Sequence, residues 1–451
     1  MGMGRVTETV AKMEKIIGPS KPIFIGVAGV ALLLLLLSFS PSTSFPNMFD
    51  VSKMTMSPEK DGAATKDCTT LSDQGLDLGH DPADQTFYDD PSLSYSIGSP
   101  LKNWDEKRQQ WLHHHPFFAA AAGGGGVLMN RVVVVTGSQQ LPCENPVGDL
   151  LLLRLFKNKV DYCRIQGHDI FYNNAFLHRE MTSVWAKLPP VRAAMVAHPE
   201  AEWVLWLDSD VVVTDMEFKL PFEKYGNHNF VISGWENLVY EKRSWLGLNT
   251  GVFLIRNCQW SIDFIETWAS LGPANPNHEE LKEIIRATLT DKEFPSDEQS
   301  ALVYLMLKEK EKWGEKVYIE NGYSFNGYWL AIVDGYEKIE EMYRAVEAVA
   351  SGLRRRRGEA VSGWYGEMRE VYLKATQDGN GGWRRPFITH FTGCQPCSGQ
   401  HNPIYGGESC WNGMERALNF ADNQVLRNYG FVHDSLGNSS FLSPLQFDSP
   451  G

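Results

Sequence analysis

Asp208-Ser209-Asp210 sets two carboxylates two positions apart, directly after the apolar run Trp203-Val-Leu-Trp-Leu207. Where a buried strand ends and a loop begins, both carboxylates can turn toward one divalent ion. Hard oxygen ligands suit Mg2+ or Mn2+. An ion held there would bridge a diphosphate and neutralise the charge that builds on a departing nucleoside diphosphate. An acidic triplet alone is more often a solvated loop, so the weight falls on its neighbours. His390, in Ile388-Thr-His-Phe-Thr-Gly393, follows an apolar pair and precedes a glycine turn, as a ligand presented at a strand end would. A lone histidine is otherwise an ordinary structural residue. Ser296-Asp297-Glu298-Gln299 opens a predicted helix over 300–309, with Ser296 read as its N-cap and the acidic pair complementing the dipole. The same helix start can place a side chain beneath a reacting carbon.

These groups need a frame. Val132-Val-Val-Val135 reads as a buried strand ending in Thr136-Gly137-Ser138, and a strand followed by a small-residue turn is where α/β proteins hold nucleotides. Strands are also predicted over 168–172, 203–207, 230–233 and 250–255, with helices over 150–159, 185–198, 262–270 and 300–309. The alternation predicts an α/β fold built on a largely parallel sheet with helices on both faces. Met342, Val346, Val349 and Leu353, then Val361, Trp364, Met368 and Val371, recur at helical spacing and predict a helical insertion at about 337–376.

Ile23 to Phe39 is an uninterrupted run of apolar and small residues, at the short end for a bilayer span. Arg5, Lys12, Lys15 and Lys21 precede it, so residues 1–22 are expected to be cytosolic, 23–39 to be a retained signal anchor, and the rest lumenal. Ser38-Phe39-Ser40 is a poor cleavage site, which disfavours a removed signal peptide. Residues 40–126, rich in Ser, Pro, Asp and Gly, read as a flexible stem; 127–436 read as the catalytic body and 437–451 as a tail. The 451-residue chain carries a formal charge of -13, which excludes a nucleic-acid backbone binder. With 7 cysteines at least one is unpaired or intermolecular, and Cys68 in the stem is the candidate. Cys394-Gln-Pro-Cys397 lacks the second pair that a zinc site needs, so structural disulfides of open pairing are expected. Asn438-Ser-Ser440 is the one glycosylation sequon.

With Val135-Thr-Gly-Ser138, Asn158-Lys-Val-Asp-Tyr-Cys163, Trp185-Ala-Lys-Leu-Pro189, Leu207-Asp-Ser-Asp210, Gly247-Leu-Asn-Thr-Gly251, Gly327-Tyr-Trp329 and Thr389-His-Phe391 in order, the chain resembles a known family. It is the plant family of galactomannan galactosyltransferases and xyloglucan xylosyltransferases, and the resemblance spans about 132–433. It implies a Rossmann-like GT-A fold, a UDP-sugar donor, Mn2+ and transfer with retention in the Golgi lumen. By position it assigns the metal to Asp208, Asp210 and His390. Thr136, Gly137 and Ser138 would line the nucleotide, and Lys187 and Ser209 would approach the donor. Asn249 and Gly251 would face the sugar, with Asp297, Glu298 and Gln299 near the reacting carbon. The leaving diphosphate would itself help deprotonate the acceptor, so no dedicated base is required. Gln395, Glu298 and Asn326 depart from the xylosyl branch, which commonly has Lys, Asp and His there; Gln395 and Asn326 are the expected determinants of donor choice.

UDP-galactose onto a mannan backbone is the first expectation. UDP-xylose onto the glucan of xyloglucan is the second, and a non-catalytic scaffold of a polysaccharide-synthesising complex is the third. A homo- or hetero-oligomer in the Golgi is compatible with each.

Overall fold

The computed structural model describes residues 90, 93–115, 131–291, 296–350, 353, 362–375 and 384–445. The expected anchor and Cys68 lie outside these residues. Among the described residues no helix is long and apolar enough to cross a membrane.

Six strands form the main sheet: β1 (Val132–Gly137), β2 (Asp169–Asn173), β3 (Trp203–Leu207), β5 (Phe230–Gly234), β6 (Leu248–Arg256) and β7 (Val317–Glu320). Their order is β2-β1-β3-β6-β5-β7. Parallel pairing joins β1 to β2, β1 to β3 and β5 to β7, while β6 runs antiparallel to both β3 and β5. The α/β class is as expected, but the sheet is mixed rather than largely parallel. The reason lies between β5 and β6. Residues 235–247 between them hold only a five-residue π-turn and a three-residue 3-10 turn, with no helix long enough to carry the chain back across the sheet face as a parallel return normally requires. A buried apolar strand reads the same in either direction, so composition alone could not reveal the reversal.

A second, three-stranded sheet joins β4 (Val211–Val213), β9 (Ile388–His390) and β8 (Gly327–Tyr328), with β9 in the centre. These strands are too short to give a periodic signal. Of the helices longer than two turns, α2 (Gly148–Gln166) turns Leu151, Leu155 and Tyr162 into the core. Next, α3 (Leu188–Ala197), α4 (Gln259–Ala269) and α5 (His278–Thr288) precede α6 (Glu298–Lys308). The N-cap of α6 is Asp297, not Ser296, in a reciprocal capping box with Ser300. The expected insertion is present as α7 (Tyr336–Val349) and α8 (Ser362–Ala375). It is followed by α9 (Ser409–Leu426), β10 (Phe431–Ser435) and β11 (Asn438–Pro444). The last two form an antiparallel hairpin, so the folded chain continues past the expected boundary at 436.

The stem boundary also moves. Residues 93–115 are folded onto the body, with α1 (Trp104–His114) and Leu93, Ile97 and Leu101 contributing buried side chains. Trp104 is 0 % exposed and its indole donates to Asn257 Oδ1 at 2.7 Å. Arg192 donates to the Ser94 and Ser99 carbonyls at 2.6 Å and pairs with Glu266. Arg108 donates to the carbonyls of Pro199 and Ala201. Polar composition suggested a solvated linker here, but two tryptophans at a spacing that faces one side supply enough apolar area to dock. Trp104→Ala removes a large buried ring and takes the indole donor from Asn257 Oδ1. The expected loss is about 3–5 kcal/mol, read as a lowered urea midpoint at unchanged slope. An unchanged midpoint would show the segment to be peripheral.

Candidate functional site

The site forms at the carboxyl edge of β3, where the two sheets meet. Asp208 follows the last residue of β3, and its backbone N–H donates to the Gly251 carbonyl of β6 at 2.8 Å. Two residues later, after Ser209 and Asp210, the chain enters β4, which pairs with β9 in a register that sets Val211 opposite His390. The Phe391 N–H donates to the Asp210 carbonyl at 3.2 Å. Asp208, Asp210 and His390, separated in sequence, therefore converge because one loop joins β3 of the first sheet to β4 of the second. Each offers a ligand atom, all within 4.8 Å of one another.

The three differ in what else they touch. Asp210 meets His390 Nε2 at 3.3 Å. Asp208 Oδ1 accepts from the Trp206 indole at 2.6 Å, and Lys187 Nζ lies 3.1 Å from it. Two carboxylates and an imidazole form a donor set suited to a divalent cation. Gly251 makes room for the histidine: a β-carbon there would stand 2.8 Å from His390 Nδ1 and 2.9 Å from Nε2.

Lys187 is 5 % exposed and sits at the end of a 3-10 turn leading into α3. Besides Asp208 it pairs with Glu298 Oε1 at 2.8 Å and donates to the Thr250 carbonyl at 3.3 Å. Burial alone would lower its pKa, but the Asp208 and Glu298 carboxylates outweigh that and hold it above its ordinary value. Glu298, 3 % exposed, also accepts from Thr250 Oγ1 at 2.9 Å. Gln299 accepts from the Thr250 N–H and donates to the Trp245 carbonyl. Glu298 and Gln299 thus lie beneath the site, tying α6 to β6. Asp297 is half-buried; one of its oxygens caps α6 and accepts from the Trp245 indole at 3.0 Å. Asn249 Oδ1 accepts from the Gly251 N–H at 2.9 Å.

Thr136, Gly137 and Ser138 end β1 on the same edge of the sheet. Thr136 Oγ1 is fully buried without a hydrogen-bond partner. Ser138 Oγ bonds the Tyr172 hydroxyl at 2.6 Å, and a β-carbon on Gly137 would collide with the Asn173 carbonyl. Gln395 is exposed in a loop held by two disulfides, Cys143–Cys397 and Cys394–Cys410. The two cysteines of Cys394-Gln-Pro-Cys397 take different partners, which leaves no dithiol chemistry there. Cys163 and Cys258 are free thiols. Asn326 lies against His390, 2.9 Å from Nδ1.

Sequence reading gave no role to Lys159. It is buried under the acidic loop and donates to the carbonyls of Ser209 at 3.2 Å and Val211 at 2.8 Å. Burial pulls its pKa down to about 8, against the attraction of Asp210 and Asp208. The signal was available: Lys159 falls between Leu155 and Tyr162 on the apolar face of α2, where a cation needs a partner.

Residues 129–401 match the galactosyl transferase GMA12/MNN10 family. The chain is 58 % identical over 375 residues to galactomannan galactosyltransferase 1 of Cyamopsis tetragonoloba, covering 83 % of each protein. To glycosyltransferase 6 of Arabidopsis thaliana it is 56 % identical over 378 residues, covering 83 % of this chain and 86 % of that protein. To "Probable xyloglucan 6-xylosyltransferase 1" of Oryza sativa subsp. indica it is 45 % identical over 355 residues, covering 78 % and 70 %.

Proposed function

From its membership of the galactosyl transferase GMA12/MNN10 family, which makes this chain a glycosyltransferase, we propose that it transfers galactose from UDP-galactose to a β-linked polysaccharide such as mannan, with retention and with Mn2+. The observation that carries the metal-dependent reading is the convergence of Asp208, Asp210 and His390 at the end of β3. A divalent cation held by these residues would supply positive charge to the donor diphosphate as the glycosidic bond breaks. The chain's own groups prepare that step. Lys187 and the Trp206 indole fix Asp208; Lys159 fixes the backbone on either side of Asp210. Thr136 and Gly137 end β1 at the same edge of the sheet, where the nucleotide would sit, with Ser138 directly following. Galactose is preferred over xylose because the galactomannan relative is more similar to this chain than the xyloglucan relative over a comparable span.

The same reading places the protein in the Golgi as a single-pass type II protein anchored through 23–39, with Asn438 glycosylated. Two disulfides suit an oxidising lumen, and Asn438 is exposed on the β10–β11 hairpin.

The test is a donor panel with the purified full-length chain, Mn2+, and manno- and gluco-oligosaccharide acceptors. UDP-galactose should turn over fastest, chelation should abolish transfer, and Asp210→Ala should lower kcat/KM at least 100-fold, roughly 3 kcal/mol. Faster turnover of UDP-xylose would favour xyloglucan as the product. Full cellular function of Asp210→Ala would favour a scaffold.

A further inference from the structure

The two ring nitrogens of His390 have different surroundings. Nε2 faces Asp210 at 3.3 Å. Nδ1 lies 2.9 Å from Asn326 Oδ1 and 3.1 Å from Thr392 Oγ1. An amide oxygen can only accept, so the Asn326 contact is a hydrogen bond only with the proton on Nδ1; in that tautomer the Thr392 hydroxyl is a second acceptor and Nε2 keeps its lone pair toward Asp210. Burial of His390 makes this choice consequential, since a ring in the opposite tautomer would turn an N–H toward the ligand cluster.

Asn326 is itself fixed by the backbone. It immediately precedes β8, which pairs parallel with β9 so that Gly327 lies opposite Thr389 and Tyr328 opposite His390. A β-carbon on Gly327 would stand 2.5 Å from the Ile388 carbonyl and 3.1 Å from Ser324 Cβ. Only glycine lets β8 approach β9 this closely, and that approach delivers Asn326 to the imidazole.

We propose that Asn326 is a positioning residue for the metal centre: its amide oxygen holds His390 in the Nδ1–H tautomer and fixes the ring so that Nε2 serves as a ligand. It acts through His390 and not on the donor sugar, the role expected from sequence. This rests on the reading that Asp208, Asp210 and His390 take a divalent cation. Partners that orient a ligating histidine typically contribute 10–100-fold in metal affinity.

The experiment is Mn2+ titration of the full-length protein, followed by calorimetry or by the electron paramagnetic resonance of free Mn2+, with thermal unfolding measured in parallel. Asn326→Leu should weaken Mn2+ binding about 10–100-fold. Asn326→Asp, which keeps an acceptor for the same proton, should bind within about threefold of the unsubstituted chain, less than 1 kcal/mol. On a His390→Ala background, Asn326→Leu should add nothing, because its target is gone. Asn326→Ala provides a second deletion if the leucine variant does not fold. Unchanged Mn2+ affinity in the deletion variants, equal loss in Asn326→Asp, or a further loss on the His390→Ala background would overturn the assignment. Failure of the unsubstituted chain to bind Mn2+ would instead overturn the metal reading and the role of Asn326 with it.

Discussion

Gly251→Ala is expected to eliminate transfer while leaving the chain folded. The added methyl would stand within 2.9 Å of both His390 nitrogens, so the ring must leave its place. No flexible side chain end can absorb the clash, because the imidazole is pinned between β6 and the Asn326 loop. Displacing one of three ligands, together with the register of β9, should lower kcat/KM at least 100-fold, roughly 3 kcal/mol. Mn2+ affinity should fall in parallel. Steady-state kinetics and Mn2+ titration of the purified variant provide the check. Wild-type kinetics with alanine in place would mean that His390 does not serve the site in this geometry.

Lys187→Met should lower stability about as much as Trp104→Ala. Lys187 is the cation between Asp208 and Glu298, and Glu298 is almost fully buried. Removing one partner of a buried pair leaves an uncompensated charge, which typically costs about 3–5 kcal/mol. Replacing both partners, as in Lys187→Met with Glu298→Gln, removes the stranded charge and should restore much of that stability. Activity should not return with it, because Asp208 would still lack its anchor. Chemical denaturation of the single and double variants separates the two effects. A double variant as unstable as the single one would mean that packing, not charge, makes Lys187 necessary.

The legible and illegible parts of this protein divide along physical lines. Strands β1, β3, β5 and β6 are continuous apolar runs, and the Asp208 and His390 positions at strand ends could be read from composition alone. The direction of β6 could not, because burial on both faces erases the difference between parallel and antiparallel. Nor could β4, β8 and β9, each of two or three residues, which owe their form to partners distant in sequence. The same limit explains Glu298. Its place at a helix start suggested a group near the reacting carbon, but its burial and its pairing with Lys187 on a different element could not be read from sequence. Asn326 was noticed as a departure from a related branch and assigned to the sugar; only the pairing of β8 with β9 puts it on His390.

Residues 93–115 dock on one end of the main sheet. Asn257 and Gln259 follow β6, and Glu202 precedes β3, so the segment grips the end of the sheet remote from Asp208. A disturbance of the Trp104 and Arg108 contacts therefore reaches β3 and β6 at their far ends, and the loop between β3 and β4 is separated from it by the length of the strands.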